Sequence, residues 1–289
     1  MLNDFRPRRS VLYTPGSNAR AIEKARTLPA DALILDLEDA VAPDAKETAR
    51  AQICAALRAG FGGREVVVRI NALDSEWGEH DLTAVAAQAP DAVLVPKVYS
   101  ARDIHKVQHR LEHVPAAKDV ALWAMVETPR AILDIAGIAD AGGRLACLVL
   151  GTNDLIKEMG GVHTPGRGNL VAAMSLTVLA ARAAGLTAID GVHNDIADAD
   201  GFAQAARQAR SFGFDGKTVI HPSQIAPCNA AFAPSPEEVD AARKLIAAFA
   251  LPENRDKGAI RLDGRMVERL HADTARRLVA LADAIAARA

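Results

Sequence analysis

The chain has 289 residues, half of them apolar, which is enough to bury a large core and suits one α/β barrel. Its 34 basic and 36 acidic residues give a net charge of −2 without a basic block, which argues against nucleic acid or a membrane surface as the main partner. Three scattered cysteines argue against a disulfide framework or a thiolate zinc site. The first ten residues lack the apolar region of a signal peptide, so a cytoplasmic location is expected.

Short runs rich in valine, isoleucine and leucine alternate with longer alanine-rich segments of helical periodicity, as in a parallel sheet with crossover helices. Eight such runs predict strands: SVLYTPG from Ser10, ALILDLED from Ala32, EVVVRIN from Glu65, AVLVPKV from Ala92, ALWAMVE from Ala121, LACLVLG from Leu145, TAIDGVH from Thr187 and KTVIHP from Lys217. Eight strand–helix units indicate a (β/α)8 TIM barrel. We therefore predict one catalytic barrel domain over residues 1–233.

Residues 234–289 follow the eighth strand and contain more than one closing helix. Ser235 and Pro236 predict a helix start, as the N-cap and the first helical residue. Proline and glycine residues interrupt the helical pattern over 252–264, before a last helix over roughly 268–287. We expect a C-terminal helical extension that packs on the barrel or on a neighbouring subunit.

In this fold, catalytic groups lie at the carboxyl ends of the strands, where the eight loops meet at one mouth. The polar residues at these ends are Asp36, Glu38, Asp39, Arg69, Asn71, Lys97, Glu127, Asn153, Asp154, Asp190, His193 and His221. A ring so rich in acids is costly to desolvate unless a cation neutralises it. The pattern therefore predicts that something positive binds at the mouth.

Glu127 and Asp154 follow adjacent strands at equivalent depth, which would place two carboxylates close to one ion. Magnesium is usually held by one or two carboxylates, with water and substrate oxygens completing an octahedron. The alternative interpretation is that each acid caps the helix that follows it.

The cations at the mouth have structural interpretations as well. Arg69 alone does not distinguish between a substrate contact and an ion pair with Glu38 or Asp39. For Lys97, pairing with an acid is favoured over a contact with thioester phosphates. Arg167, in the segment TPGRGNL, is a candidate substrate contact on a loop over the mouth.

Eight segments follow one another in the chain between Arg9 and Arg277: RSVLYTPGSN, LILDLEDAV, VVRINALDSEWGEHDL, VLVPKV, MVETPRAI, LGTNDL, GFDGKTVIHPSQI and LDGRMVE. Together they resemble the β subunit of citrate lyase and its stand-alone CoA-ester lyase relatives in the HpcH/HpaI aldolase superfamily. The third segment is especially similar to the citrate lyase β subunit. LGTNDL is more similar to the relatives that act on malyl- or citramalyl-CoA.

The resemblance implies a magnesium-dependent barrel enzyme, usually a trimer or a multiple of it, that cleaves or forms a carbon–carbon bond in a 3-hydroxy-carboxyacyl thioester. By this similarity Glu127 and Asp154 are metal ligands, while Glu38 and Asp39 hold metal-bound waters. Arg69 would grip the carboxylate and the carbonyl oxygen of the 2-oxoacid fragment. Substrate contacts are also assigned to the loop after the sixth strand, namely Gly151, Thr152 and Asn153.

Cleavage leaves an enolate carbon that an acid must protonate. In the relatives this acid is an aspartate of a tail motif similar to DGKMVD, often donated by the neighbouring subunit. The tail here reads DGRMVERL and places Glu268 at that position, with one methylene more than aspartate. Glu268 is therefore the candidate acid; Asp263 is the alternative, although a turn before Gly264 also explains Asp263.

A CoA thioester needs partners for its phosphates. Arg9 and Lys24 lie in a basic N-terminal region, and the turn Thr14-Pro15-Gly16 precedes a predicted helix whose first N–H groups attract anions. These five residues are the candidate CoA contacts. The alternative is that the basic face serves solubility only.

The leading hypothesis is a stand-alone lyase that uses Mg²⁺ to split a citramalyl-, malyl- or citryl-CoA thioester into a 2-oxoacid and an acyl-CoA, working as a trimer or hexamer. One alternative is a citrate lyase β subunit that acts on a citryl group carried by an acyl carrier protein. The others are a thioester-binding homologue without turnover and an HpaI-type aldolase for free hydroxy acids.

Overall fold

The computed structural model describes residues 6–288 and contains a closed parallel barrel of eight strands. The strands pair in chain order and are β1 (Ser10–Pro15), β2 (Ala32–Asp36), β3 (Glu65–Arg69), β4 (Ala92–Val95), β5 (Ala121–Val126), β6 (Leu145–Leu150), β7 (Thr187–Asp190) and β8 (Gly216–Val219), which pairs with β1. Each strand starts within one residue of its predicted position. The predicted (β/α)8 TIM barrel is confirmed.

Helices connect consecutive strands, one more follows β8, and together they surround the sheet. They are α1 (Ala19–Ala25), α2 (Lys46–Ala59), α3 (Gly78–Ala86), α4 (Ala101–Glu112), α5 (Pro129–Leu133), α6 (Ile135–Ala139), α7 (Thr152–Glu158), α8 (Val171–Ala183), α9 (Ala199–Phe212) and α10 (Ile225–Phe232). Within residues 6–288, none of the helices combines the length and the apolar character needed to cross a membrane.

The core has one layer inside the barrel and one between the sheet and the helices. Trp123 of β5 and Ile34 of β2 belong to the inner layer, whereas Leu33 and Leu35, the neighbours of Ile34 in β2, belong to the outer layer. Successive residues of a strand point to opposite faces, and here both faces are buried. This is why the strands appear in the sequence as continuous apolar runs.

Contacts divide the described chain into two compact units, Arg8–Phe232 and residues 233–288 together with 6–7. The second unit contains α11 (Pro236–Ala250), β9 (Ala259–Leu262), β10 (Arg265–Glu268) and α12 (Arg269–Ala286). The predicted start of α11 is confirmed, because the Ser235 hydroxyl accepts from the Glu238 N–H at 3.2 Å while the Glu238 carboxylate accepts from the Ser235 N–H at 2.7 Å.

The second unit also contains an antiparallel hairpin of β9 and β10, which the sequence analysis did not predict. Asp263 and Gly264 form its two-residue turn with φ values of 47° and 79°, the left-handed pair of a type I′ turn. The interpretation of Asp263 as a turn residue is therefore confirmed.

A buried ion pair joins β2 and β3 at their carboxyl ends. Asp36 and Arg69 are register partners, and the carboxylate accepts hydrogen bonds of 2.7 Å from both Nε and Nη2 of the guanidinium. The same carboxylate accepts from the backbone N–H groups of Glu38 at 3.0 Å and Ala40 at 3.1 Å. Asp36 therefore fixes both Arg69 and the loop after β2.

Asp36→Asn is expected to lower the free energy of unfolding by about 3 kcal/mol, because the buried Arg69 loses its principal charge partner. Urea denaturation followed by circular dichroism measures the change. Asp39→Asn is the matched control, since the Asp39 side chain is 64% exposed and lies 3.8 Å from Arg69 Nη1. Its effect should stay below about 0.5 kcal/mol, and equal losses in the two variants would contradict the role of Asp36.

Candidate active site

A cavity of about 350 Å³ opens at the carboxyl ends of the barrel strands. Every strand except β4 contributes to its lining, through residues of the strand itself, of the loop that follows it or, after β6, of the first turn of α7. The predicted site residues in its wall are Pro15, Asp39, Arg69, Glu127, Gly151, Thr152, Asn153 and Asp154. The structure therefore brings most of the predicted site to one cavity.

Glu127 follows β5 and is 1% exposed. Its Oε1 accepts a hydrogen bond of 2.7 Å from the backbone N–H of Lys97. The following helix, α5, is capped by Thr128, whose hydroxyl accepts from the Ala131 N–H at 3.0 Å. The capping interpretation of Glu127 is therefore wrong. Burial raises the pKa of Glu127 to about 7, although the Lys97 ammonium opposes this shift.

Asp154 lies in the first turn of α7 and makes no capping hydrogen bond to that helix. Its carboxylate instead pairs with the ammonium group of Lys97. The capping interpretation is wrong for Asp154 as well, and the expected pairing of Lys97 with an acid is confirmed.

The Lys97 ammonium marks the point at which three carboxylates converge. Its Nζ lies 3.6 Å from Glu127 Oε1 and 4.0 Å from Glu38 Oε1, and it donates a hydrogen bond to Asp154 Oδ2. Burial acts to lower the pKa of Lys97, but Glu127 and Asp154 outweigh burial and the net pKa is raised. The lysine therefore keeps its charge, and its ammonium group is a cation that the protein itself supplies to the site.

The carboxylate oxygens around this position are of the kind that a small divalent cation binds. Glu127 and Asp154 supply carboxylates, and Mg²⁺ is typically held by one or two of these with other oxygens completing its shell. Among residues 6–288, no group of three or more acidic, histidine or cysteine side chains is arranged as a metal cage. Thr152 Oγ1 is buried in the cavity wall without a hydrogen-bond partner in the described chain, and is a further oxygen at the site.

Gly151 makes room for the Glu127 carboxylate. A Cβ atom at position 151 would lie 2.4 Å from Glu127 Cβ and 2.6 Å from its Oε2, closer than any carbon side chain could stand. Gly151 is thus required sterically, whatever contact its backbone makes with a substrate. Asn153 is exposed and exchanges two hydrogen bonds with Asn194, of 3.2 and 2.8 Å.

Arg69 is bound by acids of its own chain. Besides the two bonds to Asp36, its Nη1 lies 2.7 Å from Glu38 Oε2 and 3.8 Å from Asp39, and its guanidinium lies 4.8 Å from the centre of the Tyr13 ring. The ion-pair interpretation of Arg69 is confirmed. A guanidinium has five N–H donors; Asp36 accepts two of them and Glu38 faces a third, so two donors remain for another oxygen.

Glu38 lies between the two cations of the mouth. One carboxylate oxygen faces Arg69 and the other faces Lys97. Burial raises the pKa of Glu38 to about 7, and the charge of Arg69 opposes this shift. Asp36 and Lys97 were not assigned a site role from the sequence. Both lie at the carboxyl ends of strands, and this position, which made Glu127 a candidate, could have made them candidates too.

The candidate CoA contacts are not gathered at the cavity. Arg9 precedes β1, at the opposite end of the barrel, and forms an ion pair of 2.7 Å with Asp31. In the turn after β1, the Gly16 N–H donates to the Asp36 carbonyl at 2.8 Å and is not available to an anion. Lys24 is an exposed residue of α1, and Thr14 is buried. Of this group, only Pro15 lines the cavity.

Glu268 belongs to the second unit, where it ends β10 and is the N-cap residue of α12. Its backbone N–H donates to His271 Nδ1 at 2.9 Å, and Glu268 is exposed.

A second cavity, of about 610 Å³, adjoins the first and shares Thr152, Val192 and Asn194 with it. The segment Pro165–Leu170 and the helix α9 contribute to its wall. The two cavities therefore share part of their walls at the mouth.

Arg167 lies in the wall of this second cavity and is fully engaged by protein groups. Its Nη1 donates to Asp190 at 2.7 and 2.9 Å, and its Nε and Nη2 donate to Gln208 and the Ala205 carbonyl, both at 2.9 Å. Lys217 Nζ lies 2.8 Å from the same Asp190 carboxylate. Arg167 is therefore a structural anchor, and its expected contact with substrate is replaced by this buried network.

The family model described as HpcH/HpaI aldolase/citrate lyase matches residues 9–222. A (3S)-malyl-CoA thioesterase of Cereibacter sphaeroides is 48% identical over 288 residues, with 99% of each chain covered. The citrate lyase subunit beta of Escherichia coli is 36% identical over 284 residues, which are 96% of this chain and 94% of that subunit.

The crystal structure of the protein CitE from Mycobacterium tuberculosis, in complex with magnesium, acetoacetate and coenzyme A, matches with a TM-score of 0.76 at 32% identity. The match covers 96% of this chain and 98% of CitE. The matches to sequence and to structure thus agree, and they confirm the enzyme class predicted from the sequence, a carbon–carbon lyase. The chain belongs to the HpcH/HpaI aldolase/citrate lyase family.

Proposed function

We propose that the chain is a magnesium-dependent lyase that cleaves the CoA thioester of a 3-hydroxy acid of the malyl class into a 2-oxoacid and an acyl-CoA. The observation that carries the proposal is the convergence of Glu127 and Asp154 on one cation position, in the cavity that Arg69 also lines. The names of the relatives support it, because one acts on (3S)-malyl-CoA and the CitE structure contains magnesium and coenzyme A.

The reaction moves charge from one oxygen to another. The substrate hydroxyl gives its proton to a general base and becomes a carbonyl, the adjacent carbon–carbon bond breaks, and the electron pair of that bond forms the enolate of the acyl thioester. Mg²⁺ held by Glu127 and Asp154 would act as a Lewis acid toward the oxygens of the oxoacid fragment. Arg69, fixed by Asp36, would donate its remaining N–H groups to the same fragment, while Glu38 and Asp39 would orient waters behind it.

The enolate carbon must then take a proton. By resemblance we assign this step to Glu268, which is exposed at the start of α12. We also propose that residues 234–289 pack on a neighbouring subunit of a homotrimer or hexamer and present Glu268 to its barrel. A cytoplasmic location, and a CoA contact near Pro15, which lines the cavity, belong to the same proposal.

Hydrolysis of the thioester is a second candidate reaction. The observation that favours it is the 48% identity to proteins named (3S)-malyl-CoA thioesterase, over nearly the whole chain. In that reaction water cleaves the bond between the acyl carbon and sulfur, releasing the hydroxy acid and free CoA. The same cation and the same arginine would hold the substrate, so the products distinguish the two reactions.

Purified protein incubated with malyl-, citramalyl- or citryl-CoA in magnesium buffer should release equal amounts of 2-oxoacid and acyl-CoA. Free CoA thiol without oxoacid would establish hydrolysis instead. Turnover only of a citryl group on an acyl carrier protein would indicate the citrate lyase β alternative, and tight binding of a CoA thioester without any product would indicate a binding protein.

Removal of magnesium with EDTA and the substitution Glu127→Gln should each lower the rate about a hundredfold or more, because both remove charge stabilisation at the reacting oxygens. Glu47→Gln is the matched control, since Glu47 is exposed on α2. The rate of this control should equal that of the wild type. Turnover of Glu127→Gln at the wild-type rate would exclude Glu127 as a ligand.

Gly151→Ala should reduce kcat about a hundredfold and abolish most of the magnesium-induced rise in melting temperature, because the added methyl group displaces the Glu127 carboxylate. Gly168→Ala makes the same chemical change where a Cβ atom would meet nothing within 4 Å, and should behave as the wild type. Differential scanning fluorimetry and initial rates provide the two measurements. Normal magnesium binding by Gly151→Ala would refute the steric role of Gly151.

Glu268→Gln should lower kcat about a hundredfold while leaving the magnesium-induced stabilisation unchanged, because it removes an acid but no metal ligand. Glu268→Asp restores the aspartate of the relatives and should keep most of the activity. Unchanged kinetics of Glu268→Gln would place the proton donor elsewhere.

A further inference from the structure

The ammonium group of Lys97 lies where the proposed function requires a divalent cation. Its Nζ is bonded to Asp154 Oδ2 and lies 3.6 Å from Glu127 Oε1. A magnesium ion bound to both carboxylates would have to lie about 2.0–2.1 Å from their oxygens, which is within the space that the ammonium fills. Two cations at such a separation would repel each other strongly in a buried site.

The mouth contains more negative than positive charge. The groups linked by ion pairs there are the five carboxylates and two cations of Asp36, Glu38, Asp39, Glu127, Asp154, Arg69 and Lys97. Arg69 is committed to Asp36 and Glu38, so Lys97 is the cation that neutralises Glu127 and Asp154 within the described chain. One positive charge is then shared by two metal-ligand carboxylates and by one edge of Glu38.

We propose that Lys97 is an internal counter-cation that holds the ligand carboxylates in place in the metal-free protein and is displaced from Asp154 when magnesium binds. The inference rests on the proposed metal site at Glu127 and Asp154 and adds a positioning residue to it. Its consequence is that the lysine preserves the arrangement of the ligands and also competes with the metal, so Lys97 sets the magnesium affinity.

The geometry of Lys97 suits such an exchange. The backbone is fixed, because the Lys97 N–H donates to Glu127 Oε1 at 2.7 Å. The side chain is 26% exposed and its four-carbon stem is flexible, so the ammonium can leave Asp154 toward solvent without movement of the backbone. The backbone N–H of Lys97 thus holds Glu127, while its side-chain ammonium can move separately.

The test is magnesium binding itself, measured by isothermal titration calorimetry and by thermal melts with and without MgCl₂ at pH 8.5. Lys97→Met should bind Mg²⁺ about tenfold tighter than the wild type, because the competing charge is gone. Its metal-free form should melt at a lower temperature, and its magnesium-induced shift should be larger. Lys118→Met removes an exposed lysine before β5, at the other end of the barrel, and should match the wild type.

A second variant guards against a failure of Lys97→Met to fold. Lys97 has a left-handed backbone with φ of 51°, a conformation that asparagine tolerates better than most residues. Lys97→Asn is therefore expected to fold and to bind Mg²⁺ more tightly in the same way. Equal or weaker magnesium binding by the folded variants would overturn the exchange while leaving the metal site intact.

The failure of the proposed metal site would look different. In that case neither the wild type nor the Lys97 variants would show binding heat or a magnesium-induced shift, and Glu127→Gln would be indistinguishable from the wild type in both measurements. Such a result would overturn the metal site and the role of Lys97 together.

Discussion

An excess of buried carboxylates over cations shapes the mouth of this barrel. Carboxylates removed from water are costly unless a positive charge accompanies them, and each acid here contacts Arg69 or Lys97. Arg69 is fixed against β2 by Asp36, while Lys97 reaches across from β4 toward β5 and α7. The positions of the side chains at the mouth follow from these pairings. The same excess of carboxylates makes the cavity suitable for an ion with more positive charge than the Lys97 ammonium.

The architecture could be predicted from sequence because the barrel buries both faces of every strand. Strands of this kind are apolar throughout, so their starts are visible without knowledge of their partners. The hairpin of β9 and β10 was not predicted, because its strands have four residues each and are largely exposed, and the surrounding prolines and glycines resemble an irregular segment. The pair Asp263-Gly264 was the available signal for it.

The location of the site followed from the same topology, whereas its pairings did not. The ends of the strands meet at one mouth, which is why Glu127, Asp154 and Arg69 could be placed together from the sequence alone. Lys97 and Asp154 are separated by 57 positions in the chain, and their contact depends on side-chain conformations that no local pattern encodes. The sequence was similarly ambiguous about the cap of α5, because Glu127 and the neighbouring Thr128 are both possible capping residues. In the structure, the Thr128 hydroxyl accepts the hydrogen bond from the first turn of the helix.

The hydrogen bonds of Arg167 allow the wall of the second cavity to change separately from the carboxylate site at Glu127 and Asp154. Its guanidinium ties the segment Pro165–Leu170 to β7 and α9 through Asp190, Gln208 and Ala205. None of these hydrogen bonds involves Glu127, Asp154 or Lys97. Exposed residues of that segment can therefore be substituted to change the wall of the second cavity without breaking the contacts that hold Glu127 and Asp154.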